Sequence, residues 1–453
     1  MESNNYAMAI HPIEFRYGTP EMKQVFSEEH RFRCIIDAEI ALAKAEGALG
    51  MIPQKDAEII AKKAHDASLE RSKEIEDEIH HDMMAVVRAV SEVCGDAGRW
   101  IHYGATSNDI LDTATGLQLR DALIILEEKL KKLLEVLLNR AEETKLLVCI
   151  GRTHGQHGVP TTYGLRFAIW ASEIGRHIER LGQMRPRVCV GQLTGAVGTQ
   201  AALGEKGIEI QEEMMKFLKI SSVDVSNQII QRDRYAEYFC FLANVATTLD
   251  KIGVEIRSLQ RTEIGEVEEA FGARQVGSST MPHKRNPIKS EQVCGLARII
   301  RSSVEPAFQN NTLWDERDLT NSSPERILFP EATILADHIL KNMISVLEGL
   351  NLKEDRIKEN LSMLHGINMA ESIMIELTKK GMGRQEAHEI IREKSMEALE
   401  TKEPLSALLS RTPEVTGIIP AQEIEKLLSP GSYIGTSVRQ VEKVTGKLRS
   451  LYL

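Results

Sequence analysis

Residues 119–137 read LRDALIILEEKLKKLLEVL, and six leucines in this stretch are spaced alternately by four and three residues. This 3.5-residue period is typical of the seam along which long helices pack. Similar seams occupy residues 238–259 and 334–350. Because each such helix has one apolar face to bury, we predict that they form a central bundle, which partner subunits extend. The leucines of the first seam are Leu119, Leu123, Leu126, Leu130, Leu133 and Leu137.

The distribution of prolines agrees with long helices. No proline lies between Pro53 and Pro160, or between Pro186 and Pro282, so nothing obliges a helix to break there. After about residue 350 the apolar segments become shorter. We therefore predict an all-α fold with three helical domains. The predicted domains are an N-terminal domain at 1–107, a central long-helix domain at 108–350 and a C-terminal domain at 351–453.

The composition narrows the class of protein. With 42% hydrophobic and 27% charged residues, the chain resembles an ordinary globular protein. Its net charge of −10 disfavours nucleic acid as the principal partner, because phosphate binding needs a basic face. Six scattered cysteines without a CxxC pair indicate reduced thiols in a cytosolic protein. We find no signal peptide and no apolar run near the ~20 residues of a membrane helix, so we expect a cytoplasmic protein without a membrane partner.

The N-terminal residues carry clear helix signals. We expect an irregular arm over residues 1–20 and then one helix over about 21–50. Thr19 is a good N-cap and Pro20 a good first helical residue. The helix is expected to close at Gly47 and Gly50, since glycine is common just past helix ends.

Two Gly-rich stretches, residues 151–162 and 191–198, are predicted to be loops. Neither contains a P-loop lysine at the right spacing, which disfavours a nucleoside triphosphate site. The chain also lacks a G-x-S-x-G elbow, which disfavours a serine hydrolase. Acid–base chemistry by histidines and serines on loops therefore remains as the favoured kind of site.

Metal binding is not favoured by the histidine pattern. His154 and His157 have a spacing that suits a shared metal on a helix, but the surrounding glycines disfavour that helix. His80, His81 and Asp82 have no further ligand at metal spacing nearby. We expect neither a metal nor a cofactor.

Residues 277–287 read GSSTMPHKRNP, and the two prolines exclude a regular helix or central strand. We predict that they form a loop, which carries the ammonium group of Lys284 among small polar side chains. This string resembles the signature loop of the fumarase/aspartase superfamily. His283 and Arg285 make it more similar to the adenylosuccinate lyase branch than to the fumarase or aspartase branches.

The resemblance extends over about residues 16–326. The motifs that carry it are Arg16-Tyr17, His80-His81-Asp82, His102 with Thr106-Ser107, residues 152–157, Gln228, the signature loop and residues 316–326. In that family the histidine matching His154 is the general acid, and the first serine of the signature loop, here Ser278, is the general base. The residues implied to bind the substrate are Arg16, Tyr17, His80, His81, Asp82, Thr106, Ser107, Gln228, Ser279, Lys284, Asn286, Arg317, Ser322 and Arg326.

The resemblance implies a reaction and an assembly. Family members eliminate fumarate from adenylosuccinate to give AMP, and usually also from the succinyl-aminoimidazole-carboxamide ribotide of purine synthesis. They are homotetramers around a central helical bundle, and each active site draws loops from three subunits. The implied partners are therefore a succinylated purine nucleotide and further copies of the same chain.

Elimination from a succinyl-amine needs a base for a carbon-bound proton, an acid for the departing nitrogen, and cations for the growing carboxylate charge. Histidine suits the acid role because its ordinary pKa lies near neutrality. Serine is a weak base at its free pKa, so Ser278 would need help from Lys284 and from backbone N–H groups near Ser279.

Three other hypotheses about the function remain open. The carboxymuconate cycloisomerase branch has a nearly identical loop, although its bacterial members tend to lack a histidine at the position of His154. Argininosuccinate lyases typically carry Gln and Lys where this chain has His283 and Arg285. A helical scaffold without activity is the third, and the presence of His154, Ser278 and Lys284 opposes it. One departure from the family pattern is Asn321, where many relatives have histidine.

Overall fold

Helices dominate the fold in the computed structural model, which describes residues 8–270, 280, 281 and 283–453. The prediction of an all-α fold is confirmed, because the strands among these residues are few and short. The α-helices are α1 (Pro12–Phe15), α2 (Pro20–Val25), α3 (Glu28–Ala48), α4 (Gln54–Lys63), α5 (Leu69–Ile79), α6 (Asp82–Cys94), α7 (Ser107–Glu143), α8 (Tyr163–Val188), α9 (Gly207–Leu218), α10 (Asp233–Leu259), α11 (Ile288–Ser302), α12 (Val304–Gln309), α13 (Ser322–Glu348), α14 (Glu354–Ser362), α15 (Ala370–Lys379), α16 (Arg384–Thr401), α17 (Leu405–Leu409), α18 (Pro413–Thr416), α19 (Ala421–Leu427) and α20 (Ser437–Tyr452).

Short strands and single turns of 3₁₀-helix connect these helices. The strands are β1 (Val148–Thr153), β2 (Gln156–Thr162), β3 (Val190–Gly191), β4 (Ser221–Ser222), β5 (Val267–Glu268) and β6 (Asn351–Leu352). They form three two-stranded pairs, β1–β2, β3–β4 and β5–β6. The 3₁₀-helices span Ala64–Asp66, Gly95–Trp100, Gly204–Lys206, Ile367–Met369 and Pro430–Tyr433.

The apolar seams lie on the longest helices. Helix α7 has 37 residues, which corresponds to about 56 Å at 1.5 Å per residue. All six leucines of its seam are at most 1% exposed, and the seam residues of α10 are at most 4% exposed. The third seam follows α13, and its last residue, Leu350, lies just beyond the helix. The periodicity therefore identified both the helices and their buried faces.

The chain divides into two compact units whose boundaries fall within α7, α8, α10, α11 and α13. The first unit comprises Met1–Leu130, His177–Leu249 and Val293–Lys341, and the second comprises Lys131–Arg176, Asp250–Gln292 and Asn342–Leu453. The division into three sequence domains stays a prediction. Within the parts of the chain that the structure describes, no helix combines the length and apolar character needed to cross a membrane.

Side chains join neighbouring helices inside each unit. In the first unit, the His177 Nε2 atom on α8 lies 2.9 Å from the Thr248 hydroxyl on α10. The hydroxyl groups of Tyr238 on α10 and Thr333 on α13 lie 2.8 Å apart. In the second unit, helices α15 to α19 bury an apolar core of their own, which includes Ile373.

The N-terminal helix prediction is partly wrong. Thr19 caps α2 by accepting a hydrogen bond from the Met22 N–H, and Pro20 is the first helical residue, as predicted. The expected single helix is interrupted, however, because α2 ends at Val25 and the Ser27 side chain caps α3 through the His30 N–H. The predicted irregular arm also contains the short helix α1. A serine that can cap a helix competes with helix continuation, which explains the break.

Residues 151–162 are not a loop but most of an antiparallel hairpin of β1 and β2. Thr153 pairs with Gln156, so His154 and Gly155 form the turn, and both have positive φ, 56° and 75°. Two successive residues with positive φ match the twist of a tight β-hairpin. The glycines that suggested a loop therefore act as turn and strand residues. Pro160 is accommodated in β2 opposite Ile150, as proline can be in an edge position.

Candidate active site

In the first unit, the start of α7 is held by a buried carboxylate. Asp109 accepts hydrogen bonds from the backbone N–H groups of Thr106 (2.9 Å), Thr194 (2.8 Å) and Gly195 (3.1 Å). Burial raises the pKa of Asp109, and these backbone donors oppose that shift. Asp109 thereby links the predicted substrate residue Thr106, which directly precedes Ser107, to the Gly-rich stretch 191–198.

Arg317 has neutral partners. Its Nη1 donates to Asn108 Oδ1 at 2.5 Å and to Gln228 Oε1 at 3.0 Å. Its buried Nε has no hydrogen-bond partner among the described residues. Burial lowers the pKa of Arg317, as expected for a cation removed from water. An anionic ligand would relieve this cost, so the arrangement suits a phosphate or carboxylate.

A buried ion network lies at the segment that carries Gln228. The Arg232 side chain is 3% exposed. It donates to both carboxylate oxygens of Asp112, at 2.7 and 2.9 Å, and to Glu325 at 3.0 Å. Asp112 also accepts the backbone N–H of Ile230 at 2.9 Å. The network therefore connects α7, the segment that carries Gln228, and the start of α13, the helix that also carries Ser322 and Arg326.

The motif His80-His81-Asp82 lies at the junction of α5 and α6. His80 ends α5 with a positive φ of 54°, and His81 caps α6 by accepting the Met84 N–H at 3.2 Å. Asp82 accepts a hydrogen bond from Arg326 Nη2 at 2.9 Å. The structure therefore brings together two predicted substrate residues that are 244 positions apart in the chain.

Arg16 and Tyr17 lie between α1 and α2. The Arg16 side chain is exposed. The Tyr17 ring packs on the His338 ring of α13, with centroids 5.2 Å apart. This short segment is thus attached to the same helix that carries Ser322 and Arg326.

His102 is paired with a buried glutamate. Glu39 on α3 lies 2.7 Å from His102 Nδ1 and accepts the His102 backbone N–H at 3.0 Å. Burial of the ring works against its charged form, but the Glu39 carboxylate prevails and raises the pKa of His102. The Glu39 carboxylate therefore favours the charged form of His102.

In the second unit, His154 occupies the tip of the β1–β2 hairpin with an exposed side chain. Behind it, the fully buried Glu266 accepts hydrogen bonds from Arg152 (2.5 Å), Tyr163 (2.6 Å) and Asn360 (2.9 Å). Although burial opposes ionisation, these donors lower the pKa of Glu266, so it remains an anion. A cavity of about 880 Å³ borders the hairpin. The hairpin is therefore anchored at its base and presents His154 at its tip.

Part of the signature loop also belongs to the second unit. Ser278 and Ser279 lie outside the described residues. Lys284 is exposed, and its backbone N–H donates to the Met281 carbonyl at 3.1 Å. Asn286 is half-buried. The two units thus each hold a share of the predicted residues: Lys284, Asn286 and His154 in the second unit, and the other described ones in the first.

Sequence reasoning missed the supporting residues. Asn108, Asp112, Arg232 and Glu325 were not identified, and neither was Glu39. The spacing of Asn108 and Asp112 at i and i+4 on one helix face was the available signal, because their side chains are hydrogen-bonded at 3.3 Å.

Comparison with known proteins identifies the family of this chain. The sequence pattern of the family described as "Lyase" matches residues 14–301, and that described as "Adenylosuccinate lyase C-terminus" matches residues 366–444. Adenylosuccinate lyase of Methanocaldococcus jannaschii is 52% identical over 98% of this chain and 97% of its own length. That of Archaeoglobus fulgidus is 53% identical over 96% and 98%.

Solved structures give the same superfamily. A fumarate lyase from Mesorhizobium sp. BNC1 has a TM-score of 0.87 and 31% identity, covering 95% of this chain and 98% of that one. The 3-carboxy-cis,cis-muconate lactonizing enzyme of Pseudomonas putida has the same TM-score and identity over 96% and 98%. Identity to the adenylosuccinate lyases is thus far higher. The chain belongs to the adenylosuccinate lyase family of the fumarase/aspartase superfamily, and it is a lyase.

Proposed function

We propose that this protein eliminates fumarate from adenylosuccinate to release AMP, and that it cleaves succinyl-aminoimidazole-carboxamide ribotide in the same way. The observation that carries the proposal is the identity of about one half to adenylosuccinate lyases over nearly the whole length of both chains. The exposed position of His154 and the arginine side chains of the first unit support the proposal.

His154 is the proposed general acid and Ser278 the proposed general base. The hairpin turn presents the His154 imidazole to solvent, where a bound substrate can reach it. An imidazolium there would give its proton to the departing nitrogen. Ser278 would remove the proton from the carbon next to the carboxylate, and Lys284 would favour its ionised form.

Three arginines are proposed to bind the anionic ends of the substrate. Arg317 has only neutral hydrogen-bond partners among the described residues, so its charge is available to a phosphate or carboxylate. Arg326 is held by Asp82, which a phosphate with a charge of nearly −2 would outcompete. Arg16 is exposed beside Tyr17. Gln228, Thr106, Ser107, Ser279, Asn286, Ser322, His80 and His81 complete the proposed contacts.

The decisive experiment follows fumarate release from adenylosuccinate. Purified protein should convert adenylosuccinate to AMP and fumarate in equal amounts. Argininosuccinate and carboxymuconate are assayed separately as alternative substrates, because relatives in the same superfamily act on such compounds. Turnover of either one without turnover of adenylosuccinate would refute the proposal, and so would no turnover at all.

Replacing Arg326 by lysine should raise the KM for adenylosuccinate more than it lowers kcat. The planar guanidinium can bind two phosphate oxygens at once, whereas an ammonium cannot, so ground-state binding suffers first. Steady-state kinetics on adenylosuccinate provide the measurement. Arg392→Lys is the matched control, because Arg392 is also exposed and paired with one carboxylate, Glu389. An unchanged KM in Arg326→Lys would remove Arg326 from the site.

We also propose a cytosolic homotetramer with shared active sites, as membership of the adenylosuccinate lyase family implies. Mixing inactive His154→Asn protein with inactive Ser278→Ala protein should then restore activity. If each site takes these two residues from different subunits, random exchange at equal amounts predicts about a quarter of wild-type activity. Light scattering measures the oligomeric state, and fumarate release measures the recovered activity. A stable active monomer, or no recovery after verified exchange, would contradict shared sites.

A further inference from the structure

His338 on α13 contacts the segment that we propose to bind the nucleotide. Its ring lies at 60° to the Tyr17 ring, with centroids 5.2 Å apart. Its Nδ1 accepts a hydrogen bond from the Gly18 N–H at 3.2 Å. One side chain therefore contacts both the aromatic ring and the backbone of this segment. Gly18 and His338 are 320 residues apart in sequence.

The segment lies directly on α13 at this point. Gly18 has a φ of +88°, and a Cβ atom there would come within 2.4 Å of Ile334 Cγ2. The next residue, Thr19, donates its hydroxyl proton to Asp337 Oδ2 at 2.6 Å. Two adjacent residues of α13, Asp337 and His338, thus hold two adjacent residues of the segment. The backbone next to Tyr17 has little freedom as a result.

The surroundings of His338 favour its neutral form. Burial lowers the pKa of its imidazole, and nearby lysines lower it further. An Nδ1 atom that accepts the Gly18 N–H carries no proton, which agrees with that shift. The charged groups that face the ring are Lys341 and Asp337 on α13, Lys23 on α2 and Lys129 on α7, and only Asp337 favours the charged form.

We propose that neutral His338 is a positioning residue for the nucleotide, which orients Tyr17 through the Gly18 hydrogen bond and releases it when Nδ1 becomes protonated. The inference rests on the function proposed above. A protonated Nδ1 is a donor and would face the Gly18 N–H, another donor, so the hydrogen bond would break. Because the pKa of His338 is lowered, nucleotide binding should weaken, relative to a variant that cannot be protonated at this position, only as the pH falls below the ordinary histidine pKa of about 6.5.

The test measures AMP binding to the full-length protein by titration calorimetry from about pH 8 down to about pH 5, across the ordinary histidine pKa. His338→Asn places an amide oxygen near the position of Nδ1 and cannot be protonated, whereas His338→Ala removes the acceptor. At the upper pH, His338→Asn should bind AMP like the wild type. His338→Ala should bind it roughly fivefold to tenfold more weakly, as expected for one lost hydrogen bond.

As the pH falls, wild-type affinity should decrease relative to His338→Asn. The AMP phosphate titrates in the same range, but its contribution cancels in the ratio of the two affinities. His388→Asn, in an exposed histidine of α16, is the matched control and should follow the wild type throughout.

A wild-type affinity of His338→Ala at the upper pH would overturn the proposal. A constant ratio between wild type and His338→Asn over the whole range would do the same. If His338→Ala does not fold, as judged by circular dichroism, the ratio of the wild-type and His338→Asn affinities is the test of the proposal. Absence of fumarate release would refute the proposed function, while the AMP titrations would still test this inference. A wild-type protein that does not bind AMP would overturn both.

Discussion

Replacing His154 should lower the turnover of adenylosuccinate by about 10²–10⁴-fold, the usual contribution of a general acid or base. Without the imidazole, the departing nitrogen would have to leave unprotonated. Asparagine is the better replacement, because His154 has a φ of 56° and asparagine tolerates this conformation better than alanine. Ser278→Ala should lose at least as much. Fumarate release under saturating substrate measures both losses.

A substrate analogue separates the two roles. An analogue with an intrinsically better leaving group needs less protonation, so it should restore turnover in His154→Asn. It should not restore Ser278→Ala, because the carbon-bound proton must still be removed. His157→Asn, on the same hairpin, controls for damage to β1–β2. If the analogue rescues only the serine variant, the two assignments are reversed. Rescue of neither variant would indicate that another group, such as His81 or His102, moves the proton.

Arg232→Met should destabilise the protein by about 3–5 kcal/mol, the usual cost of removing one partner from a buried ion pair. Asp112 and Glu325 would remain buried without their cation, since both are hydrogen-bonded to Arg232 in the native state. Urea-induced unfolding at fixed protein concentration provides the measurement. Arg392→Met, which removes an exposed ion pair with Glu389, should change stability little.

A combined variant distinguishes stability from positioning. Replacing Asp112, Arg232 and Glu325 together by apolar residues removes the unpaired charges and should recover much of the lost stability. It would still lack the hydrogen bond from the Ile230 N–H to Asp112. We therefore expect the triple variant to fold but to have a higher KM than the wild type, because the segment carrying Gln228 loses its hydrogen bond to Asp112. A KM equal to that of the wild type would show that the network serves stability alone.

Local signals predicted the helical frame well. The alternation of leucines from Leu119 to Leu137 identified a helix and its buried face, since a 3.5-residue period is a property of the chain itself. Thr19 and Pro20 identified the start of α2, because a cap and a first-turn proline also act locally, within one helical turn. The signature loop and its flanking motifs were sufficient to indicate the family.

The sequence alone therefore determined the helices, their apolar faces and the family, all of which depend on residues close together in the chain. Tertiary structure decided the rest. The hairpin that presents His154 depends on strand pairing such as that between Val148 and Thr162. Its glycines led to the prediction of a loop in place of two strands. The contacts of Arg232 with Asp112 and of His338 with Gly18 join residues 120 and 320 positions apart. No spacing rule reaches across such distances, because the folded chain alone determines which side chains meet.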